Sequence, residues 1–243
     1  MPEGTLSKRR SDGAIKSGGT ASQPSLAASF RKEGFKRVVA MYEFATEITK
    51  SVDYERYLYK CLVPIPPRPY SPRREYLEEA IPKGLKKKLL LFAGEVVGQI
   101  EYAPAEVSGY PITGSDLIVM NCIWVLRKAK GHNLGRKLME DMVLSAPEAS
   151  GFATIALEGH WSPWFKKEQL EKLGFQPIEA ITVRHKAKHR DESFRIWLMW
   201  IPIKGEAKPP AWDKRRLLEG VTFCCAHPLY RPRAWEGILL EKL

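Results

Sequence analysis

Between an apolar run at residues 117–125 (LIVMNCIWV) and an amphipathic segment opening at Leu134 lies Lys130-Gly131-His132-Asn133-Leu134-Gly135. A loop that opens a helix offers unpaired backbone N–H groups, and the helix dipole adds partial positive charge at the same point. Together they suit a phosphate or pyrophosphate. Gly131 and Gly135 let a ligand approach the main chain closely, and Asn133 tolerates a left-handed conformation better than most residues. Lys128, Lys130 and Arg136 add positive charge. The segment is neither a P-loop, since no Gly-Lys-Ser/Thr follows, nor a GxGxxG dinucleotide fingerprint.

The flanking patterns say how such a loop is held. The run at 117–125 does not alternate, which predicts a central strand covered on both faces. Leu134, Leu138 and Met142 recur at helical spacing, with Arg136, Lys137, Glu140 and Asp141 on the polar side, and Pro147 ends the helix. Residues 87–93 and 95–103 flank an Ala-Gly-Glu turn and predict a hairpin. Its second strand puts Val97, Gln99 and Glu101 on one face and Gly98, Ile100 and Tyr102 on the other. Residues 36–43 read as a strand, 52–61 and Glu75–Ile81 as helices. Between these helices Pro64, Pro66, Pro67, Pro69 and Pro72 impose an extended loop, and 104–116 reads as a second loop. Downstream, 152–157 (FATIAL) is a short buried strand. Phe165–Leu173 is a short helix closed by Gly174, and Ala180–Arg184 and Phe194–Ile201 are strands joined by a basic loop.

This order of elements resembles the GNAT superfamily of acyl-CoA-dependent N-acetyltransferases. CIWVLRKAKGHNLGRKLMEDMV is similar to the family's acetyl-CoA motif; FATIAL with the helix ending LEKLGF is similar to the next motif; two closing strands complete the likeness over roughly residues 36–202. The resemblance implies an α/β (α+β) fold, with a mixed, mostly antiparallel sheet, a central splayed parallel pair and flanking helices. It implies acetyl-CoA as acyl donor and an amine as acceptor, by direct attack in a ternary complex. Lys130 takes the family's Arg/Gln position, Asn133 its first Gly and Gly135 its last. Backbone groups of Ile123, Trp124 and Val125 are then expected to bind the pantetheine arm, and the loop from Lys130 through Gly131, His132, Asn133, Leu134 and Gly135 to Arg136 the pyrophosphate. Many members carry a Tyr four residues before the Gly of the LGF motif, as acid for the leaving thiolate. Here that position is Leu170, so the acid is absent or comes from elsewhere.

An amine with a pKa of about 10 must lose a proton before it attacks a thioester, and a carboxylate, a His or a water chain can accept it. The candidates are Glu101, on the strand before the central one, and Glu158 and His160, which follow FATIAL at the carboxyl ends of parallel strands. Each also reads as an ordinary residue: Glu101 as a solvated edge carboxylate, Glu158 and His160 as loop or capping residues. Tyr102 is a replacement acid or a packed aromatic. Trp161 and Trp164 wall a pocket or pack under a helix. Cys122 has no partner in the motif and reads as a core thiol. Cys224-Cys225-Ala226-His227 lacks the spacing of a structural zinc site, so no metal is expected.

The chain has 243 residues and is 44% hydrophobic, enough for one domain with extensions. The expected division is a basic tail at 1–35, a GNAT-like domain at 36–203 and a wrapping extension at 204–243. No apolar run approaches the ~20 residues of a membrane span, and no apolar segment follows the basic start. The four cysteines, Cys61, Cys122, Cys224 and Cys225, form no disulfide framework, which fits a cytoplasmic protein. Net charge is +11, favouring an anionic partner. The alternative reading is therefore a non-catalytic protein of the same fold that binds RNA through its basic tail and hairpin loop.

Overall fold

The computed structural model describes residues 42–45, 55–58, 71–186, 192–219 and 240–243. The tail at 1–35, the proline stretch through Pro69, the basic-loop residues Lys188 and Arg190, and Cys61, Cys224 and Cys225 lie outside the described residues.

Eight strands form one mixed sheet in the order β1-β2-β3-β5-β6-β8-β7-β10. They are β1 (Tyr42–Ala45), β2 (Lys86–Phe92), β3 (Glu95–Pro104), β5 (Leu117–Val125), β6 (Gly151–Glu158), β7 (Gln176–His185), β8 (Ser193–Pro202) and β10 (Leu240–Lys242). Every neighbouring pair is antiparallel except β5 with β6. The β2–β3 hairpin turns at Ala93 and Gly94, both at positive φ (51° and 76°), the twist that a two-residue hairpin turn requires.

Helices α1 (Glu55–Leu58) and α2 (Ser71–Ala80) precede the hairpin, α3 (Leu134–Leu144) joins β5 to β6, and α4 (Lys167–Lys172) joins β6 to β7. None of the described helices is long and apolar enough to cross a membrane.

The two faces of the sheet differ. Helix α3 lays Leu138 and Met142, both fully buried, against β3 and β5. Burying each such side chain contributes about 1.5–3 kcal/mol. Gly98 permits this approach: a Cβ there would stand 3.4 Å from Leu138 Cδ1 and 3.2 Å from the Trp124 carbonyl oxygen. On the opposite face Leu58, Leu77, Leu85, Leu89 and Ala103 form a second, smaller core under α1 and α2. Val97 leaves the face expected for it. The β2–β3 ladder slips between Leu90 and Leu91, and Val97 packs with Leu90 in the main core.

The stretch at 104–116, expected as a loop, contains a 3-10 turn (Ala105–Val107) and β4 (Ile112–Thr113). Strand β4 pairs antiparallel with β9 (Ala211–Trp212). Two-residue strands carry no period that a sequence could reveal. Beyond β9, α5 (Lys214–Leu218) is capped by Asp213, whose carboxylate accepts from the Arg215 and Arg216 amides at 3.0 Å. It buries Leu217 and Leu218, and Leu240 of β10 joins the same core beside β7.

Candidate functional site

The parallel ladder pairs Leu117 with Gly151, Ile118 with Phe152 and Val119 with Ala153, and stops there. At its end the Thr154 hydroxyl donates to the Met120 carbonyl at 2.7 Å. Beyond this point β5 and β6 share no ladder pair, so the sheet opens between them. The Leu126 amide donates to the Val97 carbonyl at 2.8 Å, which fixes the alternation along β5. Trp124 therefore turns its backbone groups to Gln99 of β3, while Ile123 and Val125 turn theirs to the open side.

The loop from Lys130 to Arg136 stands at the same end of the sheet. Gly131 (φ 88°) and Asn133 (φ 56°) are both left-handed, and Asn133 is the N-cap of α3. The Asn133 carbonyl accepts from the Arg136 and Lys137 amides at 3.1 and 3.3 Å. Among the described residues nothing accepts from the amides of residues 131–135. A Cβ built on Gly131 meets nothing within 4 Å, and one on Gly135 meets only Leu173 Cδ2 at 3.8 Å. His132 rests against Phe92, ring centroids 5.1 Å apart. Lys128 is paired with Glu95, whose carboxyl it holds below the usual range. Lys130 and Arg136 are exposed.

Aromatic side chains flank the opening. Trp124 on β5 and Trp164 after β6 meet edge to face at 6.4 Å. Both indole N–H groups are buried and have no acceptor among the described residues. A buried donor left unpaired costs about 1–3 kcal/mol. An amide-bearing ligand that lies between the strands supplies acceptors for such groups, and unobstructed helix-terminal amides suit a pyrophosphate. The residues present thus fit an acyl-CoA.

The three proton-acceptor candidates stand in separate partnerships. Glu101 is fully buried, not a solvated edge residue, and lies 4.0 Å from the equally buried Lys87 ammonium. Glu158 accepts from the Trp197 indole at 2.8 Å and from Arg195 Nε at 2.6 Å, with Lys167 Nζ at 3.8 Å. His160 is buried, not a loop-surface residue. Its Nδ1 accepts the Ser162 amide at 3.1 Å, its Nε2 lies 3.0 Å from His185 Nε2, and its carbonyl accepts from Lys166. Because Nδ1 is an acceptor, the neutral ring carries its proton on Nε2 and donates it to His185. Trp161, 63% exposed, stacks on the His160 ring at 5.1 Å.

Tyr102 faces α3 near Lys88, Ser145 and Asp141, at the helix end remote from the loop, so it is not a replacement acid there. Leu170 is buried in the main core and offers no proton.

Sequence reasoning passed over two buried amides on the α1–α2 face. Gln99 Nε2 donates to Cys122 Sγ at 3.4 Å, and Asn121 Nδ2 to the Tyr76 hydroxyl at 3.1 Å. Both oxygens, Gln99 Oε1 and Asn121 Oδ1, are buried and without a partner among the described residues. The signal was present in the sequence: polar residues inside apolar strands.

A groove of about 1130 Å³ lies elsewhere, between β7, β9, α5 and β10. Its charges already pair with one another, Lys214 with Glu179 and Arg184 with Glu241 at its edge, so it offers no convergent polar groups.

No family model and no curated protein sequence matches the chain. Solved structures do, and many of these neighbours are GNAT-family N-acetyltransferases. The ribosomal-protein-S18-alanine N-acetyltransferase of Escherichia coli is 14% identical, covering 69% of this chain and 99% of its own, with a TM-score of 0.46. Arabidopsis thaliana NAA60 in complex with acetyl-CoA is 14% identical, covering 67% and 99%, TM-score 0.44. An N-acetyltransferase from Staphylococcus aureus Mu50 is 12% identical, covering 67% and 99%, TM-score 0.48. These likenesses concern the fold.

Proposed function

We propose that this protein transfers an acetyl group from acetyl-CoA to a primary amine. One observation carries the reading: the β5–β6 ladder ends at Val119 and Ala153 beside a helix N-terminus whose amides, residues 131–135, are unbonded among the described residues. Ile123 and Val125 offer an amide and a carbonyl each along the open edge of β5. The amides of residues 131–136 receive the pyrophosphate, and Lys130 and Arg136 add charge at the mouth. When bound, acetyl-CoA supplies the activated acyl carbon.

The chain's own residues hold the reactants and handle the proton. Much of the rate comes from positioning, which suits a site without the usual Tyr. Of the proton-acceptor candidates, Glu101 and Glu158 each already face a cation. His160 faces a second imidazole, half-exposed His185, through which a proton can leave toward solvent. The RNA-binding alternative rests on residues outside those described, and no observation favours it.

Calorimetry with acetyl-CoA tests the reading. The native protein is expected to bind at micromolar level, and Gly135→Glu, which sets a carboxylate against the pyrophosphate, to lose at least about 100-fold, some 2.7 kcal/mol. Failure of the native protein to bind overturns it.

A further inference from the structure

Two carboxamides lie on one face of the sheet where it begins to open. Asn121 is the second residue of β5 past the shared ladder and sits at the register shift between Glu101 and Tyr102. Gln99 lies opposite Trp124 on β3. Each side chain is fully buried, and each has its nitrogen end tied down: Asn121 to Tyr76, which in turn donates to the Val107 carbonyl at 3.0 Å, and Gln99 to Cys122. Each leaves its oxygen without a donor among the described residues. The Trp124 indole N–H, the neighbour of Gln99 across the strands, is left without an acceptor. Native proteins seldom keep such groups unless something completes them.

The charge on this face is already balanced. Glu101 is the buried carboxylate here, and Lys87 stands against it. A second ammonium entering such a site would be desolvated with no free counter-charge. Two neutral oxygens instead receive the two N–H bonds of an uncharged primary amine, leaving its lone pair free. The indole N–H requires a carbonyl close to that amine.

We infer that the acceptor is a weakly basic α-amino group with a neighbouring carbonyl, the N-terminus of a peptide, held by Gln99, Asn121 and Trp124. The inference rests on the acetyl-transfer reading. An α-amino group has a pKa of about 7.7–8.0, against about 10.4 for a lysine side chain, so it arrives uncharged at neutral pH far more often. The step balances without an external base. The nitrogen lone pair forms a C–N bond to the acetyl carbon, the C–S bond breaks, and the sulfur gains one proton for the one nitrogen loses. No dedicated carboxylate base is needed, in keeping with the occupied state of Glu101 and Glu158.

The experiment uses the full chain and three probes: trialanine amide, Nα-acetyl-lysine amide and spermidine. With acetyl-CoA saturating, trialanine amide is expected to be acetylated with a kcat/KM at least tenfold above the other two, reaching a plateau above about pH 8. Turnover of spermidine or of the blocked lysine as fast as the peptide overturns the inference and leaves acetyl transfer standing. Absence of acetyl-CoA binding overturns the acetyl-transfer reading itself. Calorimetry adds a readout other than turnover: Gln99→Met and Asn121→Asp are each expected to weaken trialanine amide binding at least tenfold, with acetyl-CoA affinity changed less than twofold. A folded variant that binds the peptide normally removes its residue from the site, and normal binding by both overturns the assignment.

Discussion

Lys87 and Glu101 face each other across β2 and β3, Nζ 4.0 Å from Oε2, with neither side chain exposed. Lys87 Nζ also donates to the Tyr57 carbonyl at 2.8 Å, tying the pair to α1. Removing one partner strands a buried charge, whereas removing both does not. Lys87→Met is therefore expected to lose about 3–5 kcal/mol in urea denaturation, and Lys87→Met with Glu101→Leu markedly less. Costs that simply add across the two sites would contradict a coupled pair.

On the α3 face the ionisable groups behave differently. Burial disfavours the Lys88 ammonium, but the hydrogen bond from Lys88 to Asp141 and the charges of Tyr102 and Asp141 outweigh it, and the net shift is upward from 10.5. Burial raises Tyr102 from 10.0. Both groups hold their protons more tightly folded than unfolded. The stabilisation is complete below about pH 10 and is lost as pH rises through the raised values. Stability is expected to be flat between about pH 8 and 10 and to fall above, with Tyr102→Phe reducing the fall. Tyrosinate absorbance beside chemical denaturation measures it; a Tyr102→Phe profile identical to the native one would remove Tyr102 from the account.

Two glycines separate packing from function. A Cβ on Gly151 would lie 2.2 Å from Trp200 Cη2 and 2.5 Å from the Ile201 carbonyl oxygen, where backbone cannot yield. Gly151→Ala is expected to cost about 3 kcal/mol or more. Gly135→Ala meets only Leu173 at 3.8 Å and replaces a helical glycine, so it should stabilise by up to ~1 kcal/mol. Thermal melts of the two variants should move in opposite directions.

Asn133 caps α3 from a left-handed conformation. Asn133→Gly is expected within about 0.5 kcal/mol of the native protein, and Asn133→Val to cost about 1–2 kcal/mol, because a branched Cβ is strained there. Equal melting temperatures for the two would show that the backbone relaxes at no cost.

What was legible in the sequence was whatever carried a period or a punctuation. Leu117–Val125 announced itself by an unbroken apolar run, and α3 by Leu134, Leu138 and Met142. The left-handed turn at Asn133 followed from its residue type. Partners were not legible, because contact between distant residues leaves no local trace. Glu101 looked like an edge carboxylate because nothing near it in the chain names Lys87, which lies opposite on β2. His160 gave no hint of His185, since both owe their meeting to the β6–β8–β7 order. Trp124 was expected to offer its backbone to the opening, but which way a strand residue's groups point depends on register, known only once Leu126 is seen to bond Val97.

Pairing order divides the sheet into two leaves of four strands, β1-β2-β3-β5 and β6-β8-β7-β10, stitched by three residue pairs and the Thr154 hydroxyl. In mechanical terms this is a seam that gives far less resistance to prying than either leaf does to shear. A molecule seated in its open half touches both leaves and acts as a clasp. Occupancy then tunes the stiffness of the whole domain, and slower amide exchange along β5 and β6 is how that stiffening would be seen.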